Sequence, residues 1–486
     1  MKKTQKYIAF LLCLVIMSSC KKEYLETLPT EEVAEETVFS TTKGAQVALD
    51  GTYRNMYLSL ENHANFGHKS YELVSDLMGN DMVIHAQGYG WFNTDYNYTA
   101  VPLATSLSRS GLIWRYYYTL INNANRIMDN LPAAAGTDAE REKIRGQALA
   151  IRAHSYFYLI NFFQHTYKGN ETKPGVPLYI AGTSEGKPRG TVQEVYTQIV
   201  ADLKEAEVLL TGKARTHISH INAATAQGIL ARVALQMEDY PTAVEYAKKA
   251  RGTIAPMAAA LYADGFSSRT NPEWMWGLEV NVEQATIYAS YYSHVDNTAG
   301  GYAGLGSYKK ITRELFDQIQ TGDVRKTVFR NDGATTGIPQ LGILKFRKPS
   351  ASTWNGDYLM MRAGEMYLIE AEASARTGND ANARTVLNAL VTTRSPLYNA
   401  TQSGTALINE ILLQRRIELY GEGFSLFDIK RLKTGLNRPT GPGNHGTPNF
   451  DPTVVTLPDQ APIFLMRIPQ DEINNNSSLN AGDQNP

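Results

Sequence analysis

Asp239-Tyr-Pro-Thr-Ala-Val-Glu-Tyr-Ala-Lys-Lys-Ala250 is the stretch on which the fold class turns. It forms the second half of a unit over residues 222–251 that reads helix, tight turn at Glu238-Asp239-Tyr240-Pro241, helix. A proline is tolerated in the first turn of a helix and breaks one further in, so the chain restarts a helix here. A second unit over 358–394 reads the same way, with its turn at Thr377-Gly378-Asn379-Asp380. The two units register at an offset of 140 residues: Ala231 falls on Ala371, and Ala243 on Ala383. Small residues at facing positions let paired helices approach closely.

The 239–250 segment closely resembles the second half of a tetratricopeptide repeat. Helical periodicity extends outward from it. It begins near Thr42 with Val47, Leu49, Tyr53, Met56 and Tyr57, and recurs over Ser70–Leu77. Over 106–130, residues Ile113, Tyr117, Leu120, Ile121, Ala124 and Ile127 share one face. Capping boxes at Thr137/Glu140 and Thr191/Glu194 open further helices over 138–163 and 191–210. Two helical pairs alone are too few for a solenoid, so these helices supply the rest of the stack. Polar, aromatic and Gly/Pro-rich insertions interrupt it at 79–104, 262–357 and 433–462. Long loops of this kind inside a compact protein are usually functional. The expected fold is mostly α: a tetratricopeptide-like helical-pair scaffold with large irregular, loop-rich insertions. It forms one globular domain over 41–486, with helical repeats around 106–251 and 358–431.

Charge and cysteine content exclude several classes. The chain has 486 residues, with 47 Lys+Arg against 48 Asp+Glu and a formal net charge of −1. That balance argues against a protein built to hold nucleic acid. The two cysteines, Cys13 and Cys20, both lie in the first twenty residues, so the body holds no disulfide framework and no Cys-ligated metal. Tyrosine is over-used: 28 Tyr against 15 Phe and 5 Trp. Its ring is apolar and its tip polar, which suits wet binding surfaces as well as cores.

The N-terminus reads as an address. Lys2, Lys3 and Lys6 precede an apolar run from Tyr7 to Met17, followed by Ser18, Ser19 and Cys20. This is a secretory signal over 1–19, too short to span a bilayer. Its end resembles the bacterial lipobox, in which the cysteine is lipidated and the chain is cut just before it; Met17 stands where Leu is usual. Cys20 is then the lipid attachment site, at the head of an acidic tether over 20–40. Several acyl chains give stable anchoring where one is marginal.

Catalytic patterns largely fail. Gly182-Thr-Ser184-Glu-Gly186 fits a nucleophile elbow in letters, but the elbow needs a strand before the serine and a helix straight after it, and here Pro188 and Gly190 follow. His217 and His220 lack a third metal ligand nearby. Gly300, Gly301, Gly304 and Gly306 make no dinucleotide fingerprint. Paired glycosidase carboxylates have no distinctive spacing in sequence.

Four segments together resemble the SusD/RagB family of outer-membrane nutrient-uptake lipoproteins. They are Ala148-Leu-Ala-Ile-Arg-Ala-His-Ser-Tyr-Phe-Tyr-Leu-Ile160 with Gly175-Val-Pro-Leu178; Tyr358-Leu-Met-Met-Arg-Ala-Gly-Glu-Met-Tyr-Leu-Ile-Glu-Ala-Glu372; Arg415-Arg-Ile-Glu-Leu-Tyr-Gly-Glu-Gly-Phe-Ser-Leu-Phe-Asp-Ile-Lys-Arg431; and Met466-Arg-Ile-Pro-Gln-Asp-Glu-Ile473 with the ending Gln484-Asn-Pro486. With the Cys20 lipobox, the likeness runs from leader to last residue. These motifs are architectural: Arg415, Glu418, Glu422 and Arg431 read as one buried ion-pair network.

The resemblance implies a lipid-anchored protein of the outer membrane, facing outward and capping a TonB-dependent, SusC-like barrel. It binds glycan or another nutrient for import, with no catalysis, cofactor or metal. In starch-binding members, aromatic rings stack on sugar faces. Two loops here match that need. In Tyr89-Gly-Trp-Phe-Asn-Thr-Asp-Tyr-Asn-Tyr98, the candidates are Tyr89, Trp91 and Phe92 as platforms, with Asn93 and Asp95 as hydroxyl partners. In Tyr288–Tyr308 they are Tyr291 and Tyr292. Trp114 reads as a core residue of its helix, and Trp274 and Trp276 alternate as in a strand. The alternatives are a surface-anchored glycoside hydrolase, or a peptide-binding or structural lid of the transporter.

Overall fold

The computed structural model describes residues 30–59, 61–446 and 449–486. The signal segment, Cys20 and the first half of the tether lie outside the described residues. The second half is a helix, α1 (Thr30–Phe39), held where Arg126 Nε donates to Glu35 at 2.9 Å.

The scaffold is a continuous stack of antiparallel helices. Its members are α2 (Thr42–Asn55), α3 (His68–Leu77), α4 (Arg109–Asn130), α5 (Asp138–Phe163), α6 (Val192–Leu210), α7 (Ala223–Gln236), α8 (Tyr240–Arg251), α9 (Ala363–Arg376), α10 (Asp380–Val391), α11 (Gly404–Glu418) and α12 (Ser425–Leu432). From α4 to α10 each helix packs on the next, and α9 also packs on α11. The stack is unbroken between α8 and α9 although the long insertion separates them in sequence. Both capping boxes form: Thr137 accepts from Glu140 N, and Thr191 from Glu194 N. Asp239 and Asn379 cap the second helices of the two repeat units in the same way. Ala231, Ala243, Ala371 and Ala383 are fully buried, as close helix contact requires.

The second repeat unit opens differently from the expected helix at 358. Tyr358–Arg362 is a buried strand paired antiparallel with Trp274–Leu278, and the helix starts at Ala363. The tryptophan alternation does mark a strand.

The charged motif near the end of the chain divides between two networks rather than one. Glu418 and Glu422 meet Arg325, Lys345, Arg362 and Arg394, residues far away in sequence, together with Asp323 and Glu273. Four cations face four carboxylates, all buried, so the cluster is neutral overall. It ties the 262–357 insertion to the helical stack. Gly364 sits at its edge: a Cβ there would lie 2.4 Å from Arg362 Nη1 and 2.6 Å from Glu273 Oε1. Arg415 and Arg431 instead share Asp428, at 2.7 Å each, and Arg431 reaches Glu372 on α9 at 2.7 Å.

Candidate functional site

A short antiparallel ribbon positions the candidate loops. Met82–Ile84 pairs with Lys309–Ile311, and His85 N donates to Tyr308 O at 2.9 Å. The chain leaving the first strand thus runs beside the chain entering the second, which brings the Tyr89–Tyr98 loop against the Tyr288–Tyr308 loop. Their approach requires glycine at 88: φ is +48°, and a Cβ would lie 2.1 Å from Ser307 Oγ.

A third segment, the loop between α2 and α3, completes the site with His63. Its ring lies 5.8 Å from Trp91, 6.0 Å from Tyr288 (nearly parallel, 17°) and 5.8 Å from Tyr302. His63 Nδ1 and the Tyr302 hydroxyl share a hydrogen bond of 2.6 Å. Tyr302 touches Tyr89 (4.9 Å, edge-on), Tyr288 (5.1 Å) and Trp91 (5.8 Å). Tyr302 is buried, whereas Tyr89 is 60% exposed, Tyr288 41% exposed, Trp91 half-buried and His63 exposed. The result is a patch of partly exposed rings braced from beneath by one tyrosine. Asn93 is half-buried beside it.

Four expected contact residues face inward instead. The Phe92 ring packs on Phe66 (6.0 Å) and His294 (5.0 Å), with the Arg109 guanidinium 4.9 Å above it. Asp95 grips that arginine through both oxygens, at 2.9 and 3.0 Å, and is 1% exposed. The Tyr291 hydroxyl donates to Gly421 O at 2.8 Å, and the Tyr292 hydroxyl donates to Asp357 O at 2.6 Å. Both tyrosines lie in a short helix capped by Ser290, which turns their rings into the core. These four hold the loops onto the scaffold and offer no free face. Among the rings gathered there, Tyr288 and His63 are the exposed ones that the sequence did not single out, and Tyr302 is the buried brace. No local signal marked His63; its neighbours come from loops distant in sequence.

Lys309 lies beneath this site, 5.9 Å from the Phe92 ring, and is 1% exposed. Burial pushes its ammonium from 10.5 down to about 7. Between those two values the unfolded chain binds the proton and the folded chain does not, so stability rises with pH there, and the cost of the charge is greatest below pH 7. Lys309→Met should therefore stabilise the protein by about 2–4 kcal/mol at pH 6 and by much less at pH 9.5. Denaturant midpoints at the two pH values test this; a gain that is absent, or larger at high pH, contradicts it.

Other motifs assemble nothing comparable. Ser184 sits in an irregular loop, with no strand before it and no helix straight after it. His217 and His220 turn to different carboxylates, Glu279 at 2.7 Å and Asp50 at 3.0 Å. Among the described residues no group of three or more His, Cys, Asp and Glu is placed to hold a metal ion. No helix among them is long and apolar enough to cross a membrane.

Two family models match the chain. Residues 23–235 match a SusD-like family described as starch-binding and associating with the outer membrane, and residues 308–486 match the SusD family. The chain belongs to the SusD family. Among solved structures, a SusD-like carbohydrate-binding protein from Bacteroides vulgatus superposes with a TM-score of 0.83 at 29% identity, over 92% of this chain and 98% of that one. Surface glycan-binding protein A from Bacteroides thetaiotaomicron, solved in complex with laminarihexaose, shares the fold at a TM-score of 0.71 and 18% identity, over 92% and 99% of the two chains. SusD-like protein P2 from Formosa agariphila is 24% identical over 98% of both chains. The ring patch thus lies on two insertions and the loop between α2 and α3, while most of the family motifs lie in the helical stack and its ion pairs.

Proposed function

We propose that this protein binds oligo- or polysaccharide at the cell surface and passes it, unchanged, to a TonB-dependent, SusC-like transporter of the outer membrane. In this reading Cys20 carries the lipid anchor. The observation that carries the proposal is the patch formed by Tyr89, Trp91, Tyr288 and His63. A pyranose ring has an apolar C–H face and a polar rim. Flat, partly exposed aromatic rings desolvate the face, and groups such as Asn93 and His63 Nε2, the ring nitrogen not engaged with Tyr302, bond hydroxyls. Family membership and the laminarihexaose complex of a protein with the same fold support glycan as the ligand class.

The hydrolase reading is weaker on the same ground. A glycosidase places two carboxyl groups about 5–10 Å apart around the scissile bond. Near the patch, Asp95 is locked to Arg109 and Glu61 is paired with Arg115. Affinity electrophoresis across a polysaccharide panel, followed by chromatography after prolonged incubation, tests both readings. Retardation by at least one polymer without released oligosaccharide is expected. Released product, or no retardation by any polymer, would overturn the proposal.

A further inference from the structure

A groove of about 500 Å³ opens between α4, the loop following Leu178 and the C-terminal helix α13 (Gln470–Asn475). Its floor is aromatic. The Trp114 and Tyr118 rings lie 4.8 Å apart, and Tyr179 stands edge-on to Tyr118 at 5.7 Å. Trp114, expected in the core, is buried but forms part of this floor. The rim is polar: Asn122, Asp471 and Asn475 are exposed, and Glu472 accepts from Trp114 Nε1 at 3.4 Å. The volume is that of a small-molecule site, which typically encloses about 300–1,000 Å³. Rings below and amides and carboxylates around the edge suit a saccharide, whose C–H face needs desolvation and whose hydroxyls donate to carboxylates. The two carboxylates disfavour an anionic ligand.

One ion pair relates the groove to the ring patch. Arg115 on its wall pairs with Glu61. Two residues further on is His63, the centre of the patch, and two residues of extended chain span at most about 7 Å. We propose that the groove is a second sugar subsite, and that a single glycan chain runs from the patch across the Glu61–Arg115 pair into it. This rests on the glycan reading of the patch. Short oligosaccharides occupy the patch alone, and longer ones engage both sites, the second contact being intramolecular once the first has formed.

Titration calorimetry with glucan, mannan and xylan oligosaccharides of two to eight units tests the subsite, using the intact protein and Asn122→Arg. Position 122 is exposed on α4, so the arginine is expected to fill the groove without disturbing the core, and unchanged thermal melting checks that. Thr119→Arg, one turn earlier and also exposed, is a second block. In the parent chain, affinity should keep rising beyond the length that the patch covers, by about ten-fold or more. Both arginine variants should bind the shortest ligand as the parent does and lose the rise. Trp91→Ala should keep weak binding of the eight-unit chain, which Asn122→Arg then removes. Identical length dependence in parent and blocked variants overturns the groove and leaves the patch standing. No binding of any probe by the parent chain overturns both.

Discussion

Trp91→Ala is expected to weaken glycan binding by about 10–100-fold while leaving the melting temperature nearly unchanged. The indole is half-buried at the rim of the patch, touching His63 and Tyr302. Covering roughly 60–100 Å² of ring with a sugar face is worth about 1.5–2.5 kcal/mol at ~25 cal/mol per Å², which sets the fold-change. Phe92→Ala should do the reverse. Its ring is 2% exposed and packed between Phe66, His294 and Arg109, so its removal costs fold stability first. Calorimetry and melting on the two variants separate a contact residue from a brace. Equal binding by Trp91→Ala and the parent would contradict the assignment of the patch.

Glu418→Ala is expected to be the most damaging single change to the fold, at about 3–5 kcal/mol. The carboxylate is fully buried and accepts from Arg362 Nη1 at 2.8 Å, Arg394 Nη2 at 2.9 Å and Arg325 Nη1 at 3.3 Å. Removing it leaves three buried guanidinium groups sharing too few anions. A single domain has only about 5–15 kcal/mol in total. The exposed pair Arg145–Glu205, with side chains 42% and 45% exposed, should matter by less than about 1 kcal/mol. The surrounding arginines hold the Glu418 carboxyl well below the usual carboxylate range, with Arg394 contributing most. A depressed folded-state pKa means that this stabilisation is complete above the unfolded value near 4.5 and is lost as pH falls below it. Denaturant midpoints for Glu418→Ala and Glu205→Ala, at pH 7 and pH 4, measure all of this. A loss below about 1 kcal/mol for Glu418→Ala would show that the network relaxes around the gap.

The helical stack was legible because its signals are local. Thr137 with Glu140, Thr191 with Glu194, and the Asp239 and Asn379 turns each report on residues within four positions. Tyr358–Arg362 was not legible as a strand. Buried on both sides, its Tyr358–Met361 part is an apolar run with no alternation before Arg362, and such a run reads equally as the start of a buried helix. The loops were legible as aromatic and functional, but not in which way each ring faces. Tyr288 and Tyr291 are three residues apart in one loop; the first is 41% exposed and the second 2%. A five-residue helix and a ribbon register decide between them, and neither leaves a periodic trace in sequence. His63 is further beyond reach, since every ring it meets belongs to another segment.

In the proposed function, the patch around His63 receives sugar against its rings. A crystal structure of the protein with an oligosaccharide retained in affinity electrophoresis tests this directly. Pyranose faces are expected to lie on Trp91 and on Tyr89 or Tyr288, with a hydroxyl bonded by His63 or Asn93. A saccharide bound elsewhere with the patch left in solvent would contradict it.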